Sequence, residues 1–166
     1  MTGNVADLVH VLVAAGLTYV IGFERDVRGA GAGDRTFGLI GVGAGIVGVL
    51  ASHGAPEALT GALTGVGFIG AALVFRQERP DAVRGLTTAA GILAAVAVGA
   101  AAGEGRLLVA VTGAALTLLI LEMRYIPALK FLEGRKWANR FAHDELPHPI
   151  TDQGPPDGAP GQDPSP

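Results

Sequence analysis

The sequence predicts an all-α, polytopic membrane protein with about five transmembrane helices, its N-terminus outside and its C-terminus in the cytoplasm. The first observation is composition: 49% of the 166 residues are hydrophobic, 16% are charged, and the mean hydropathy is +0.44. Soluble domains carry about 25% charged residues. The second is the 26 glycines, each of which costs a helix in water about 1 kcal/mol relative to alanine. In a bilayer, small residues instead let helices pack closely. The lipid bilayer is therefore the first expected partner.

The third observation is the distribution of the twelve basic residues among the segments between five apolar stretches. Eleven of the twelve lie in every second segment, and the segments between these hold only Arg106. The eleven are Arg25, Arg28, Arg35, Arg76, Arg79, Arg84, Arg124, Lys130, Arg135, Lys136 and Arg140. Because Lys and Arg are enriched in cytoplasmic loops, this alternation predicts five spans and the orientation stated above. Three long spans with re-entrant loops remain an alternative on hydropathy alone, although the charge alternation argues against it.

The predicted spans end at charges, glycine or proline. Asp7 and Glu24 bound the first span, a turn with Gly54 and Pro56 separates the second from the third, and Pro127 follows the fifth. In chain order the spans are Leu8 to Phe23, Thr36 to Ser52, Ala58 to Phe75, Gly85 to Gly103 and Leu107 to Leu121.

The spans define a transmembrane domain over residues 1–126, followed by a juxtamembrane cytoplasmic segment over 127–146 and a tail over 147–166. The juxtamembrane segment is expected to form an interfacial helix anchored by Trp137. The tail is rich in Pro and Gly and cannot form a core, so we expect it to be disordered.

Small residues recur at intervals typical of close helix packing. Gly41 and Gly45 form one GxxxG motif, and Gly61 and Gly65 form another. On the fourth span a small residue recurs at every fourth position, at Gly91, Ala95, Gly99 and Gly103. We expect these positions to lie at helix contacts rather than to line a pore.

Several classes of function are not expected from this chain. There is no cysteine, which excludes disulfides and thiolate sites. The four histidines are scattered and offer no nucleophile–base or metal arrangement, so we expect no enzyme, no cofactor and no metal site. A basic surface with stacking aromatic residues is missing, so no nucleic acid is expected as a partner. The histidines are His10, His53, His143 and His148.

Two clusters of ionisable residues stand at the predicted cytoplasmic ends of spans, where charge beside hydrocarbon is expensive. The candidate polar network comprises Glu24, Arg25, Arg28, Arg35 and Thr36 at the first cluster, and Arg84, Thr87 and Thr88 at the second. The alternative is that the arginines only retain the loops inside and the acids neutralise them. A direct Mg²⁺ site is not supported, because Mg²⁺ prefers octahedral oxygen ligands and only Glu24 supplies a carboxylate near a helix interior.

Three strings resemble the MgtC/SapB family of bacterial membrane proteins, in the order and spacing of that family over about residues 8–123. They are Gly22-Phe23-Glu24-Arg25 with Arg28 and Asp34-Arg35-Thr36, then Gly65-Val66-Gly67-Phe68-Ile69-Gly70-Ala71, then Val83-Arg84-Gly85-Leu86-Thr87-Thr88-Ala89-Ala90. The resemblance implies importance for Gly22, Glu24, Arg25, Arg28, Arg35, Thr36, Gly67, Phe68, Gly70, Arg84, Gly85, Thr87 and Ala89. The glycines expected to set helix packing are Gly22, Gly65, Gly67, Gly70 and Gly85.

The chain also departs from the family pattern. Ala72 replaces a usual glycine, Leu93 replaces a common tryptophan, and the frequent cysteine of the fourth span is missing. MgtC-like members carry a folded ACT-type domain after the last span, whereas about forty residues follow Pro127 here. We therefore expect a short, SapB-like form without regulation by such a domain.

The resemblance implies a role in magnesium homeostasis or adaptation to low Mg²⁺, in the bacterial cytoplasmic (inner) membrane. We expect the protein to regulate a membrane-protein partner rather than to catalyse a reaction. The alternative is a small ion transporter or channel, acting as a homo-oligomer and conducting an ion past Glu24 and the arginine cluster.

Overall fold

The structure is a computed structural model that describes residues 2–75 and 84–123. These residues form five α-helices and no strand, so the predicted all-α class with five helices is confirmed. The helices are α1 (Thr2–Val27), α2 (Asp34–Ser52), α3 (Glu57–Phe75), α4 (Arg84–Gly103) and α5 (Leu107–Glu122). The predicted juxtamembrane segment and tail lie outside the described residues.

Helix α1 is longer at both ends than the predicted span. It begins at Thr2 and continues through Glu24 and Arg25 to Val27. The predicted span stopped at Phe23 because hydropathy falls there, but Glu and Arg are good helix formers and let the backbone continue its hydrogen bonding. The charged residues at this end therefore belong to a helix rather than to a loop.

Glycines in the left-handed conformation end three of the helices. Gly29, Gly54 and Gly105 have φ of 66°, 100° and 79° and follow α1, α2 and α4. At the first of these ends the Gly29 amide donates to the Asp26 carbonyl at 2.9 Å and the Ala30 amide to the Arg25 carbonyl at 2.9 Å. Such bonds satisfy carbonyls that a helix end leaves free, and glycine adopts the required φ without a steric penalty.

Helix α4 lies at the centre of the bundle. It contacts all four of the other helices. In the most apolar stretch of α4, 56% of the residues are buried, whereas the corresponding shares are 22% in α1 and 28% in α2. Its buried side chains are small or branched, including Ile92, Ala95, Val98 and Ala102. The remaining helices therefore pack around one central helix whose buried residues are mainly apolar.

Close approach of backbones holds α2 between α1 and α4. A Cβ on Gly45 would lie 2.8 Å from the Ala14 Cβ, so a side chain larger than hydrogen does not fit there. Gly41 lies directly against Thr18 of α1, and Gly103 of α4 lies against the Gly45 carbonyl. The close packing predicted for the Gly41 and Gly45 motif is thus confirmed.

The second GxxxG motif is placed differently. A Cβ on Gly61 or Gly65 would meet nothing within 4 Å among the residues the structure describes. Helix α3 contacts α4 and α2, but its face that carries Gly61 and Gly65 points away from the other described helices. A packing role for Gly61 and Gly65 stays a prediction.

Three of the five helices are long and apolar enough to cross a membrane, namely α1 over Gly3–Val27, α2, and α4 over Gly85–Gly103. Within the described residues the other two are apolar over shorter lengths, Glu57–Leu73 and Leu107–Glu122. Large apolar side chains such as Leu39, Phe68 and Leu108 are exposed on the outside of the bundle. An apolar outer surface of this kind suits contact with lipid. Five crossings and the N-outside orientation stay predictions.

Alternate loops meet at the same end of the bundle. At one end Arg28, just after α1, contacts Glu122 at the end of α5. At the other end the Asp7 carboxylate of α1 lies 3.6 Å from His53 Nε2, just after α2. The turn at Gly105 lies against the ring of His10 at this second end. Helix α1 is therefore antiparallel to α2 and α4 and parallel to α5.

Candidate functional site

Glu24 lies in the last turns of α1 on the face that the bundle buries. Ala14, Thr18 and Ile21 precede it at helical spacing on this face, and all three are fully buried. The helical repeat carries the same face on to Glu24, which is only 8% exposed. A carboxylate is thus held inside the bundle, on a helix face where the preceding buried residues are apolar except for Thr18.

The carboxylate of Glu24 has cations nearby but no hydrogen bond from any residue that the structure describes. Arg25 Nη1 lies 4.0 Å from Oε2, and Arg28 Nε lies 3.9 Å from Oε1. Both distances exceed the 2.7–3.2 Å of a protein hydrogen bond. Within the described ranges, both Glu24 oxygens and Arg25 Nε are buried without a hydrogen-bond partner. Since buried polar groups are normally hydrogen-bonded, the site has unused acceptors and an unused donor.

Arg28 makes its short contacts with another carboxylate. Its Nη2 donates to both oxygens of Glu122, at 2.8 Å and 2.7 Å. Glu122 is the last residue of α5, so this ion pair ties the end of α1 to the end of α5. Charge-assisted bonds of this length are among the stronger polar contacts in proteins.

Glu122 was not among the residues predicted for the site, although it directly follows the predicted fifth span. Its position offered a signal, because an acidic residue at the basic end of a membrane helix is expected to pair with one of the arginines there. Which arginine it would choose depends on α5 lying beside α1, which is a tertiary fact.

Thr88 brings α4 into the site. Arg25 Nη2 donates to the Thr88 hydroxyl at 3.4 Å, a long contact, and Thr88 is only 3% exposed. The structure therefore brings together four residues of the predicted network, Glu24, Arg25, Arg28 and Thr88, and adds Glu122. We call these five residues the polar cluster. It joins α1, α4 and α5 at one end of the bundle.

The other predicted polar residues lie elsewhere or outside description. Arg35 and Thr36 are exposed in the first turn of α2, where neighbouring Asp34 accepts from the Tyr19 hydroxyl at 3.1 Å. Thr87 is exposed on α4. Arg84 begins α4, and its side chain is outside the described part of the structure. The network role of these residues stays a prediction.

The predicted packing glycines also occupy different environments. Gly22 is buried, and a Cβ on it would lie 2.6 Å from the Phe37 Cβ of α2. A Cβ on Gly70 would make an ordinary contact with Ala89 of α4 at 3.6 Å, and Gly85 is buried at the start of α4. Gly65 and Gly67 face open space as far as the described residues show.

The chemistry open to the polar cluster follows from its charges. Two guanidinium groups lie within 4.0 Å of Glu24, and Glu122 is engaged by Arg28. No group of three His, Cys, Asp or Glu side chains in the described ranges could hold a metal ion. The cluster pairs two carboxylates with two arginines, an arrangement suited to holding helices together or changing their separation.

Comparison with known proteins places the cluster inside a recognised family region. Residues 11–126 match the model of the MgtC family. The chain is 35% identical over 129 residues to the "Putative magnesium transporter YhiD" of Escherichia coli, covering 70% of this chain and 59% of that protein. It is 36% identical over 130 residues to Protein SrpB of Synechococcus elongatus, covering 68% and 71%.

A third relative is Protein MgtC of Brucella abortus, 38% identical over 91 residues, covering 52% of this chain and 37% of that protein. The chain thus spans about three fifths of the length of YhiD. No solved structure matches the chain.

Proposed function

The chain belongs to the MgtC family, and from that membership we propose that it acts in magnesium homeostasis or adaptation to low Mg²⁺. We further propose that it is a multi-pass protein of the bacterial cytoplasmic membrane that regulates a membrane-protein partner and catalyses no reaction. The name of YhiD refers to magnesium transport, and another relative is called MgtC. Both names support a link to magnesium.

The composition of the polar cluster is the observation that favours regulation over transport of Mg²⁺. A magnesium site uses oxygen ligands in octahedral geometry and usually one or two carboxylates. Here the Glu24 carboxylate has two guanidinium groups within 4.0 Å, and these repel a divalent cation. The same groups join three helices, so a partner that contacts this end can change how the helices pack.

A second candidate function is transport of an ion, and one observation favours it. Both Glu24 oxygens are buried in a candidate span without a hydrogen bond among the described residues. Ionisable residues inside membrane segments commonly mark ion or proton pathways. On this alternative Glu24 would bind the ion as it passes.

Flux measurements separate the two functions. The purified protein is placed in liposomes, and Mg²⁺ and H⁺ flux are measured for the wild type, Glu24→Gln and Glu104→Gln. Glu104 is a matched control, because it pairs with Arg106 at 3.0 Å at the other end of α4. We expect no flux from any of them. Flux that is lost in Glu24→Gln but kept in Glu104→Gln would reject the regulatory proposal and establish transport.

The regulatory proposal also makes a positive prediction in cells. Under Mg²⁺ limitation, growth that depends on the protein should be lost in Glu24→Gln and kept in Glu104→Gln at equal membrane abundance. Cross-linking should recover the same membrane protein with the wild type and Glu104→Gln, and less of it with Glu24→Gln. Equal growth and equal recovery in all three would contradict a role for the polar cluster.

A further inference from the structure

Arg28 lies between two carboxylates that belong to different helices. Its Nη2 makes two short bonds to Glu122 of α5, at 2.7 Å and 2.8 Å. Its Nε faces Glu24 of α1 at 3.9 Å, about 1 Å beyond hydrogen-bond length. The guanidinium fork is rigid, so a shift toward Glu24 lengthens the bonds to Glu122. One cation is therefore shared unequally between two anions.

The end of α5 depends on this ion pair more than its beginning does. The buried residues of α5, Ala110 and Ala114, lie in its first half. In its second half, Leu118 and Leu121 are only partly buried against the core. The Arg28–Glu122 contact is thus placed where the side chains of α5 are only partly buried. The strength of this ion pair determines how firmly the end of α5 is held against α1.

We propose that Glu24 and Glu122 compete for Arg28, and that the charge on Glu24 thereby controls how tightly α5 is held to α1. While Glu24 is ionised and has no hydrogen bond within the described ranges, it attracts Arg28 away from Glu122. Neutralising Glu24, or satisfying it with another donor, leaves Arg28 to Glu122 and fastens the end of α5.

The competition is independent of the proposed function. It would hold in a regulator and in a transporter alike, because it concerns the charges on Glu24, Arg28 and Glu122 rather than the passage of an ion or the binding of a partner. A failure to find flux and a failure to find coupling are therefore separate results.

The chain has no cysteine, which allows a direct test. Leu121→Cys places one thiol at the partly buried end of α5, and its rate of maleimide labelling in membranes reports how often that end opens. Removing the Glu122 charge with Glu122→Gln should raise the rate about two- to fivefold, the range expected for a partly exposed ion pair. Glu24→Gln should lower the rate by a similar factor. A labelling rate that rises in Glu122→Gln and falls in Glu24→Gln is the result that competition for Arg28 predicts.

Two controls keep the result specific. Glu104→Gln removes a carboxylate at the opposite end of α4 and should leave Leu121→Cys labelling unchanged. Leu108→Cys, at the start of α5, should label at one rate in all the variants. If Glu122→Gln does not insert, Glu122→Asp shortens the same side chain and should raise the rate in the same direction. A Glu24→Gln rate that rises or does not change would overturn the proposal.

Discussion

Gly41 and Glu24 show how strongly single residues are constrained along one helix crossing. Gly41 lies against the Thr18 hydroxyl, and a Cβ added there would also lie 2.8 Å from the Ala14 carbonyl oxygen. Two turns further along α1, the Glu24 carboxylate is buried without a hydrogen bond in the described part of the chain. Gly41 leaves no space for a larger side chain, whereas the Glu24 oxygens can accept hydrogen bonds that no described residue donates. Stability is expected to depend on the first and function on the second.

Gly41→Ala should destabilise the bundle by about 1–3 kcal/mol, because overpacking forces neighbouring atoms to move. Thermal unfolding in detergent, followed by circular dichroism, measures the change. Gly43→Ala is the matched control, since a Cβ on Gly43 meets nothing within 4 Å and alanine favours helix over glycine. Equal loss of stability in both variants would show that the α1–α2 contact is looser than described.

At the scale of helices, α2 is wedged between α1 and α4, and Phe37 anchors its first turn. Phe37 is fully buried, and its ring contacts the position of Gly91 on α4, where a Cβ would lie 3.5 Å from Phe37 Cζ. Its Cβ lies against Gly22 of α1. One aromatic side chain therefore spans three helices, with a glycine on each side to accommodate it.

Phe37→Ala should cost about 3–5 kcal/mol, the range for removing a buried aromatic side chain. Phe68→Ala removes an identical side chain that is 79% exposed on α3, and it should change stability little. Chemical denaturation in detergent micelles gives both values on one scale. A loss at Phe68 as large as that at Phe37 would indicate that the outward face of α3 is covered by another molecule.

The positions of the helices were predictable from sequence, but which faces meet was not. The Gly41–Gly45 and Gly61–Gly65 motifs are the same in sequence, yet only the first has a helix against it among the described residues. Small residues permit close approach without selecting the neighbour. The polar cluster follows the same rule. Glu24, Arg25, Arg28 and Thr88 could be found at span ends, whereas the choice of Glu122 by Arg28 required α5 to lie beside α1.

For the molecule as a whole, charge and topology agree. Arg28 meets Glu122 at one end of the bundle, while Asp7 meets His53 at the other. The positive-inside rule predicts that the first end lies in the cytoplasm. The end of the bundle that holds the polar cluster would then face the cytoplasm and the cytoplasmic parts of a membrane partner.

Labelling from each side of the membrane tests this orientation in the cysteine-free chain. Ser52→Cys, at the end of α2, should react with an impermeant maleimide in intact spheroplasts. Gly31→Cys, between α1 and α2, should react only after permeabilisation, and a Cβ at this position meets nothing within 4 Å. The reverse pattern would invert the orientation. Labelling of both from one side would contradict the crossing of α2.

The shortness of α5 has a consequence for the surrounding lipid. As the predicted fifth span, its 16 residues extend about 24 Å at a rise of about 1.5 Å per residue. The hydrocarbon core of a typical bilayer is about 30 Å thick. Hydrophobic mismatch of this size thins the adjacent bilayer or draws the helix end inward, at a cost of a fraction of a kcal/mol per Å. Acyl-chain length is therefore a physical variable that acts directly on the end of α5, where Glu122 holds Arg28.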